Sequence, residues 1–254
     1  GLIREGHNVM NISDRDLLRF GKSAFDLTGE KNLNKFVKKS IDTFKPDLII
    51  LGHADKVDEK VILEAKNKYK NLKIAQWFLD PILRFGPDYE KNKERILSKS
   101  FLCDANFITT SPDVLDFKIN KSFFIPNPCD VSLDCLKNFN NEKQYDLFYS
   151  ISHGVHREYL RPGKIDQREI LVSRLKKKCP DIKFDLYGMF GREPIWGVDF
   201  LNQISKSRMG LNLSRGRPTK YYSSDRIAQL IGNGLLTLID EKTYLSDFFS
   251  NKEL

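Results

Sequence analysis

Short apolar runs alternate with longer amphipathic stretches along the whole chain. The short runs favour strands over residues 48–51, 73–78, 105–109, 123–125, 145–151, 183–187, 209–213 and 235–239. The longer stretches repeat their apolar residues every three to four positions, which predicts helices over 33–44, 59–70, 89–101 and 166–178. In the first of these helices, Phe36, Val37, Ile41 and Phe44 are expected to face inward.

Strands that alternate with helices of this length indicate a parallel sheet with helices packed on both faces. A Pro-Asn-Pro stretch followed by a polar run interrupts the alternation near residues 127–143. We therefore predict an α/β protein with two Rossmann-like parallel-sheet domains, over residues 1–130 and 131–254. Because open α/β sheets bind ligands at the carboxyl ends of their strands, we expect a ligand cleft shared by the two halves.

Both ends of the chain suggest a fold that is incomplete. Residues 1–6 are typical of the end of an amphipathic helix, and residues 7–12 of a strand, so a strand expected before that helix is missing. Residues after 249 likewise lack closing strand and helix units. We expect a two-domain fold that is truncated at both ends.

The stretch from residue 204 to residue 249 organises the second half. A strand is followed by a basic loop, then by a helix start marked by Ser223, Ser224 and Asp225, and then by another strand. Backbone N–H groups at a helix start, together with Lys220 and Arg226, would suit a phosphate or diphosphate. The alternative is an ordinary capped helix beside a solvated basic loop.

Ser224, Arg226 and the Gly234-Leu235-Leu236-Thr237 run resemble the nucleotide-sugar segment of GT-B glycosyltransferases. The resemblance is closest to the group related to the spore-maturation glycosyltransferase-like proteins, in the C-terminal segment typical of group 1 glycosyl transferases. It implies that residues 131–254 bind the donor and that residues 1–130 bind the acceptor. Gln229 stands where the family has a Glu that contacts the donor ribose, and an amide can also hydrogen-bond a ribose.

Further donor contacts are expected where the resemblance places the donor. His153, Arg157 and Lys164 follow the first strand of the second half, and Arg168 could also neutralise the leaving nucleoside diphosphate. Gly188 would let the backbone approach a base or sugar, although an ordinary turn explains it equally well. The full donor set is His153, Arg157, Lys164, Gly188, Lys220, Tyr222, Ser223, Ser224, Arg226 and Gln229.

Two side chains of the first half are candidate catalytic bases. Asp80 follows a predicted strand directly, and His53 follows the neighbouring strand together with Asp55. A carboxylate or an imidazole at this edge could accept the proton of an acceptor hydroxyl. The alternatives are a turn residue before Pro81 and a structural histidine.

Composition and charge restrict the classes of ligand and of protein that are expected. The net charge of +8 fits phosphate-bearing ligands, anionic membranes or nucleic acid, but the lysines are dispersed over many helices, so nucleic acid is not expected. No apolar run approaches the ~20 residues of a membrane span, and no signal segment opens the chain. We expect a cytoplasmic protein, with peripheral contact to an anionic membrane as a possibility left open. The four cysteines are scattered, which disfavours a disulfide framework or a zinc site.

The predicted function is the transfer of a sugar from a nucleotide-sugar donor to an acceptor hydroxyl on a glycan or a lipid-linked molecule, in cell-surface glycan synthesis. No metal is expected, because His153 and His156 have ligand spacing without an evident third ligand. No cofactor beyond the nucleotide-sugar co-substrate is expected. The alternative is a GT-B-like protein that binds a nucleotide or glycan without turnover.

Overall fold

The chain divides into two compact units, Gly1–Pro126 and Asn127–Leu254. The computed structural model describes every residue except 85, 87, 141, 153–165, 251 and 254. The division lies after Pro126, whereas the sequence analysis put it after residue 130. Each unit contains one parallel four-stranded sheet, as the α/β prediction requires.

The first unit follows the predicted alternation closely. Its elements are α1 Asp14–Phe20, α2 Glu30–Phe44, β1 Leu48–Leu51, α3 Glu59–Lys68, β2 Lys73–Phe78, α4 Tyr89–Ser100, β3 Ala105–Ile108 and β4 Ser122–Phe124, with a short 3₁₀ helix at Pro112–Val114. The strands lie in the order β1-β2-β3-β4, and all three pairings are parallel. The carboxyl ends of all four strands therefore lie at one edge of the sheet.

Helices cover one face of this first sheet. Ile74 of β2 is fully buried in a cluster with Leu33 of α2 and Ile62 of α3. Side chains of alternate residues point to the opposite face, and there Leu48, Ile50 and Phe123 are about half exposed. The expectation of helices on both faces is therefore wrong for this unit, over the part of it that the structure describes.

The second unit is covered on both faces. Its elements are β5 Tyr145–Ser150, α5 Gln167–Lys178, β6 Phe184–Tyr187, α6 Gly197–Ile204, β7 Ser207–Asn212, α7 Arg226–Gly232 and β8 Leu236–Ile239, with 3₁₀ helices at Asn138–Asn140, Glu241–Thr243 and Leu245–Phe248. The strands are parallel in the order β6-β5-β7-β8. Tyr149 packs with Val172 of α5 on one face, while Phe148 packs with Phe200 of α6 and Leu230 of α7 on the other.

At the start of the chain, the predicted helix end is present, but the predicted strand is not. The amides of Gly6 and His7 donate to the carbonyls of Ile3 and Leu2, both at 3.1 Å, and the φ of Gly6 is +84°, which is how a helix ends at a glycine. Residues 7–13 form neither a helix nor a strand. No neighbouring strand supplies hydrogen bonds there, and Val9 and Met10 are exposed. Phe36 of α2 is also exposed, because Leu33, Val37 and Ile41 already form the buried stripe. Among the described helices, none is long and apolar enough to cross a membrane.

Gly188 fixes the end of β6 against the residue that follows β5. Its φ is +70°, and a Cβ added there would lie 1.7 Å from the carbonyl oxygen of Ile151. Gly191 has a similar φ of +77°, but a Cβ there would meet nothing within 4 Å. The two glycines thus share a conformation that disfavours L side chains, and only Gly188 adds a clash with backbone.

We predict that Gly188→Ala destabilises the protein far more than Gly191→Ala. The left-handed conformation costs about 1–2 kcal/mol for alanine at either position, and the clash at residue 188 adds about 1–3 kcal/mol. Chemical denaturation of both variants measures the two losses, with Gly191→Ala as the matched control. Equal losses would show that the contact with Ile151 does not constrain the fold.

Candidate functional site

The loop between β7 and α7 is fastened to the carboxyl edge of the second sheet by polar side chains. Asn212, the last residue of β7, donates from Nδ2 to Oγ of Ser223 at 2.8 Å. Asn127 donates to the Ser223 carbonyl at 3.0 Å, and the Ser224 amide donates to Oγ of Ser214 at 3.1 Å. These bonds hold both ends of the loop at the strand ends, where the sequence analysis placed the donor site.

Arg226, the first residue of α7, carries a guanidinium that forms no ion pair with the residues that the structure describes. Its Nη1 donates to the carbonyl of Leu213 at 3.2 Å, and its Cζ lies 5.2 Å from the ring centroid of Tyr149. The Tyr149 hydroxyl donates to the same carbonyl at 3.0 Å. Within the described part of the chain, no carboxylate forms an ion pair with Arg226. Burial lowers the pKa of Arg226, since desolvation penalises the charged form.

A second arginine close to Tyr149, Arg168, pairs with a carboxylate. Arg168 of α5 donates from Nε and Nη2 to the two carboxylate oxygens of Asp166, at 2.9 and 2.6 Å. Burial alone would lower the pKa of Arg168, but the bond to Asp166 and the proximity of Tyr149 raise it. Burial raises the pKa of Tyr149, while the charges of Arg226 and Arg168 act the other way. Among the described residues around Tyr149, Arg226 is therefore the arginine that has no carboxylate partner.

This arrangement suits an anion with several oxygens. A guanidinium presents a planar fork of donors that matches carboxylate or phosphate oxygens. Burying a charge without a partner is costly, and an ion pair inside the site would offset that cost. Arg226 is therefore the strongest candidate ligand-binding residue of the second unit.

The helix start itself contributes less than the sequence analysis expected. α7 has seven residues, and its N-cap Asp225 has a helical conformation and makes no side-chain capping bond. Asp225 also places a negative charge beside the helix start, which disfavours an anion there. The case for a phosphate thus rests on the Arg226 side chain and not on the helix dipole.

Two other predicted donor residues lie close to Arg226 in the chain. Oγ of Ser224 is buried and has no hydrogen-bond partner among the described residues. Gln229 lies three residues after Arg226 on α7, a spacing that makes the two side chains neighbours on the helix surface. Ser223 is different, because its buried hydroxyl already bonds Asn212 and its own neighbour's carbonyl, that of Ser224. Its role there is to hold the loop.

Lys220 and Tyr222 lie on the part of the loop that packs against the 3₁₀ helices near the end of the chain. Lys220 Nζ lies 5.1 Å from the ring centroid of Tyr221, and that ring packs on Phe248 with centroids 4.7 Å apart. The Tyr222 amide bonds the Thr219 carbonyl at 3.0 Å. The described contacts do not join Lys220 to Arg226, so its assignment to the donor stays a prediction.

The remaining donor assignments differ in what the structure describes. Gly188 lies at the carboxyl end of β6 beside Ile151, and the clash described above gives it a structural role. His153, Arg157 and Lys164 lie outside the described residues, so their assignments also stay predictions.

In the first unit, the two candidate bases lie together at the carboxyl edge of the sheet. Nε2 of His53, after β1, is 3.7 Å from Oδ2 of Asp80, after β2. The His53 ring lies against Phe78, with centroids 5.2 Å apart. Arg95 of α4 reaches Asp80 at 4.0 Å and Asp55 at 3.2 Å. The described contacts of Asp80 are thus with charged or titratable groups, and it caps no turn.

Asp55 and Lys99 complete this charged cluster. Burial pushes the pKa of Asp55 upward, but its own backbone amide and the charges of Arg95 and Arg15 outweigh it and lower that pKa. Lys99 of α4 is buried, which lowers its pKa, while Asp55 acts against that shift. Nδ1 of His53 and Oδ1 of Asp55 are buried and have no hydrogen-bond partner among the described residues. These atoms leave donor and acceptor positions open beside the candidate base.

Sequence reasoning missed Tyr149, Asp166 and Arg95. Arg95 could have been found, because it lies three positions after Asn92 and four before Lys99, both buried on the inner face of the helix. Tyr149 sits in an apolar strand run, and nothing in that run marks its hydroxyl as part of a site. Asp166 was placed at the start of a predicted helix, but its pairing with Arg168 is visible only in three dimensions.

Comparison with known proteins supports the reading of the second unit. Residues 162–254 match the model of a family described as glycosyl transferase-like, a stretch that contains Arg168, Arg226 and Gln229. This part of the chain is therefore similar to glycosyltransferases. The match does not extend over the first unit, and no curated protein matches the sequence.

Solved structures resemble the chain only distantly. One, described as a UDP-N-acetylglucosamine 2-epimerase from Listeria monocytogenes, is 15% identical over 76% of this chain and 59% of its own, with a TM-score of 0.42. Another, a UDP-GlcNAc 2-epimerase from Neisseria meningitidis bound to UDP-GlcNAc, is 18% identical over 76% of this chain and 60% of its own, with a TM-score of 0.39. The chain thus spans about six tenths of the length of these structures. Because these identities and TM-scores are low, the chemistry of this chain is inferred from its own residues.

Proposed function

We propose that the protein transfers a sugar from a nucleotide-sugar donor to an acceptor hydroxyl. The observation that carries the proposal is the Arg226 guanidinium, which is desolvated and has no carboxylate partner within the described residues. A nucleoside diphosphate would supply the missing negative charge. The glycosyl transferase-like match of residues 162–254 includes this arginine. Within that family, the proposal places the chain in the group related to the spore-maturation glycosyltransferase-like proteins, on the strength of Ser224, Arg226 and the run from Gly234 to Thr237.

In the proposed reaction, the acceptor oxygen forms a bond with the anomeric carbon of the sugar. The bond between that carbon and the diphosphate oxygen breaks, and its electron pair leaves with the nucleoside diphosphate. Arg226 stabilises the charge that develops on this leaving group, in place of a metal ion. In this proposal, Ser224 and Gln229 hydrogen-bond the sugar or the ribose.

The proton of the acceptor hydroxyl goes to the His53–Asp80 pair of the first unit. Nη1 of Arg95 lies 4.0 Å from Oδ2 of Asp80, the same oxygen that faces His53. Asp80 accepts the proton directly, or it stabilises His53 after His53 has accepted it. Asp80 and His53 therefore act as one unit in this proposal.

The acceptor in this proposal is a hydroxyl of a glycan or of a lipid-linked molecule, and the compartment is the cytoplasm. An acceptor carried on a lipid would bring the protein to a membrane surface, which a net charge of +8 suits when the lipids are anionic. A second candidate function is binding of a nucleotide or glycan without turnover. Gln229 favours it, since an amide replaces the charged ribose ligand expected from the family.

Replacing Arg226 should separate ligand binding from stability. We expect Arg226→Met to lower the affinity for a nucleoside diphosphate by about a hundredfold, because a charge-assisted bidentate contact is lost. We expect the free energy of unfolding of the unliganded variant to be equal or higher, because a partly buried charge with no ion-pair partner among the described residues is removed. Calorimetric titration with UDP, GDP and ADP, and denaturant unfolding without ligand, measure the two effects.

Arg174→Met is the matched control, because Arg174 is an exposed arginine on α5 in the same unit. It should change neither quantity. Unchanged nucleotide affinity in Arg226→Met would remove the basis of the proposal. Complete unfolding of that variant would show that Arg226 has a structural role instead.

Asp80→Asn should separate turnover from donor binding. The amide cannot accept the proton, so we expect the transfer rate to fall by about 10²–10⁴-fold while nucleotide affinity stays unchanged. Release of nucleoside diphosphate from a panel of sugar nucleotides and acceptors measures the rate. Asp42→Asn, at a partly exposed carboxylate on α2 that pairs with Lys68, is the control. Retained turnover in Asp80→Asn would exclude Asp80, and no turnover in the unmodified protein with any donor would favour the binding function.

A further inference from the structure

The segment from residue 20 to residue 27 in the first unit presents three apolar side chains to solvent. Phe20 is 81% exposed, Phe25 is 93% exposed and Leu27 is 79% exposed. We call this segment the apolar finger. Side chains that are exposed to this degree project from the protein surface into solvent. Leu48 and Ile50, on the open face of the first sheet, are only about half exposed.

The apolar finger is held in place by a network of backbone bonds. Ser23 and Asp26 exchange two backbone hydrogen bonds, at 3.0 and 3.1 Å, so that Phe25 sits at the tip of a tight turn. The buried Asp26 carboxylate accepts from the amides of Gly29 and Asn32, at 3.0 and 2.8 Å, and the bond from Asn32 contributes most to lowering its pKa. The Asn32 side chain donates to the Gly21 carbonyl at 2.7 Å. The fold thus keeps these apolar side chains out of its own core.

Basic residues lie within and on either side of the apolar finger in the sequence. Arg19, Lys22 and Lys31 are exposed and form no ion pair with any residue that the structure describes. The two acidic residues between positions 19 and 31 are both engaged. Asp26 is buried and caps the following turn, and Glu30 lies 3.5 Å from Lys56. The surface at this place is therefore positive as well as apolar.

We propose that the apolar finger inserts into the surface of an anionic lipid bilayer. Projecting aromatic and aliphatic side chains with exposed Lys and Arg close by in the sequence match a headgroup region whose lipids carry negative charge. The inference goes beyond the proposed transfer reaction and does not depend on it.

Vesicle binding of the full chain tests the proposal. We expect the protein to bind vesicles of phosphatidylcholine mixed with phosphatidylglycerol, and to bind pure phosphatidylcholine vesicles much more weakly. The double variant Phe25→Ser/Leu27→Ser should bind at least about tenfold more weakly, because burial of such side chains is worth that much in partitioning. Phe101→Ser is the control, since Phe101 is 61% exposed at the end of α4 and should leave binding unchanged.

Two further variants separate the apolar and the charged contributions. Phe25→Trp should give a tryptophan emission that shifts to shorter wavelength on binding, which reports insertion of the tip. The triple variant Arg19→Gln/Lys22→Gln/Lys31→Gln should bind the anionic vesicles severalfold more weakly, and added salt should have less effect on it than on the unmodified protein.

Three results would overturn the proposal. The first is absence of binding to the anionic vesicles. The second is equal binding by the protein and by Phe25→Ser/Leu27→Ser. The third is self-association in sedimentation equilibrium without lipid that the same double variant abolishes, because it would assign the apolar finger to a second copy of the chain.

Discussion

The guanidinium of Arg226, which forms no ion pair with the described residues, is the constraint on which the site of the second unit depends. Arg226 is partly buried, and taking an unpaired charge out of water is costly. The bond to the Leu213 carbonyl and the contact with the Tyr149 ring each stabilise it by only about 1–2 kcal/mol. An anionic ligand would therefore stabilise this charge further. Loop bonds through Asn212, Ser223 and Ser214 keep the strand ends in this arrangement.

The two units use charge in different ways at the carboxyl edges of their sheets. In the first unit, Asp80 lies within ion-pair distance of His53 and of Arg95, and Arg95 also pairs with Asp55. In the second unit, Asp166 pairs with Arg168, and Arg226 has no ion-pair partner among the described residues. A group that must accept a proton benefits from neighbours that hold it in position. A group that must receive a diphosphate benefits from having no internal carboxylate to compete with the ligand.

Most of the strand and helix pattern could be predicted from the sequence, because hydrophobic periodicity is set by burial. Strands β1 and β2 were predicted with their observed limits, and the helix before β1 was displaced only at its start. The strand predicted at residues 7–12 did not form, since a run of suitable residues still needs a partner strand. The open face of the first sheet was also missed, because alternation in one strand does not reveal whether a helix covers its outer side.

The candidate site was predictable only in part. Arg226, His53 and Asp80 were identified because they follow strands or open a helix, and position in a parallel α/β fold is readable from sequence. Their partners were not, since Tyr149 and Arg226 are distant in the chain and meet only after β5 and β7 pair. The predicted capping of α7 also failed, because Asp225 takes a helical conformation and its side chain does not reach the helix amides.

The central claim is that Arg226 receives an anionic leaving group. A crystal structure of the protein soaked with a nucleoside diphosphate tests it most directly. The account predicts phosphate oxygens about 2.7–2.9 Å from the Arg226 guanidinium nitrogens. A diphosphate bound elsewhere on the chain, with Arg226 still bonded only to the Leu213 carbonyl, would contradict it.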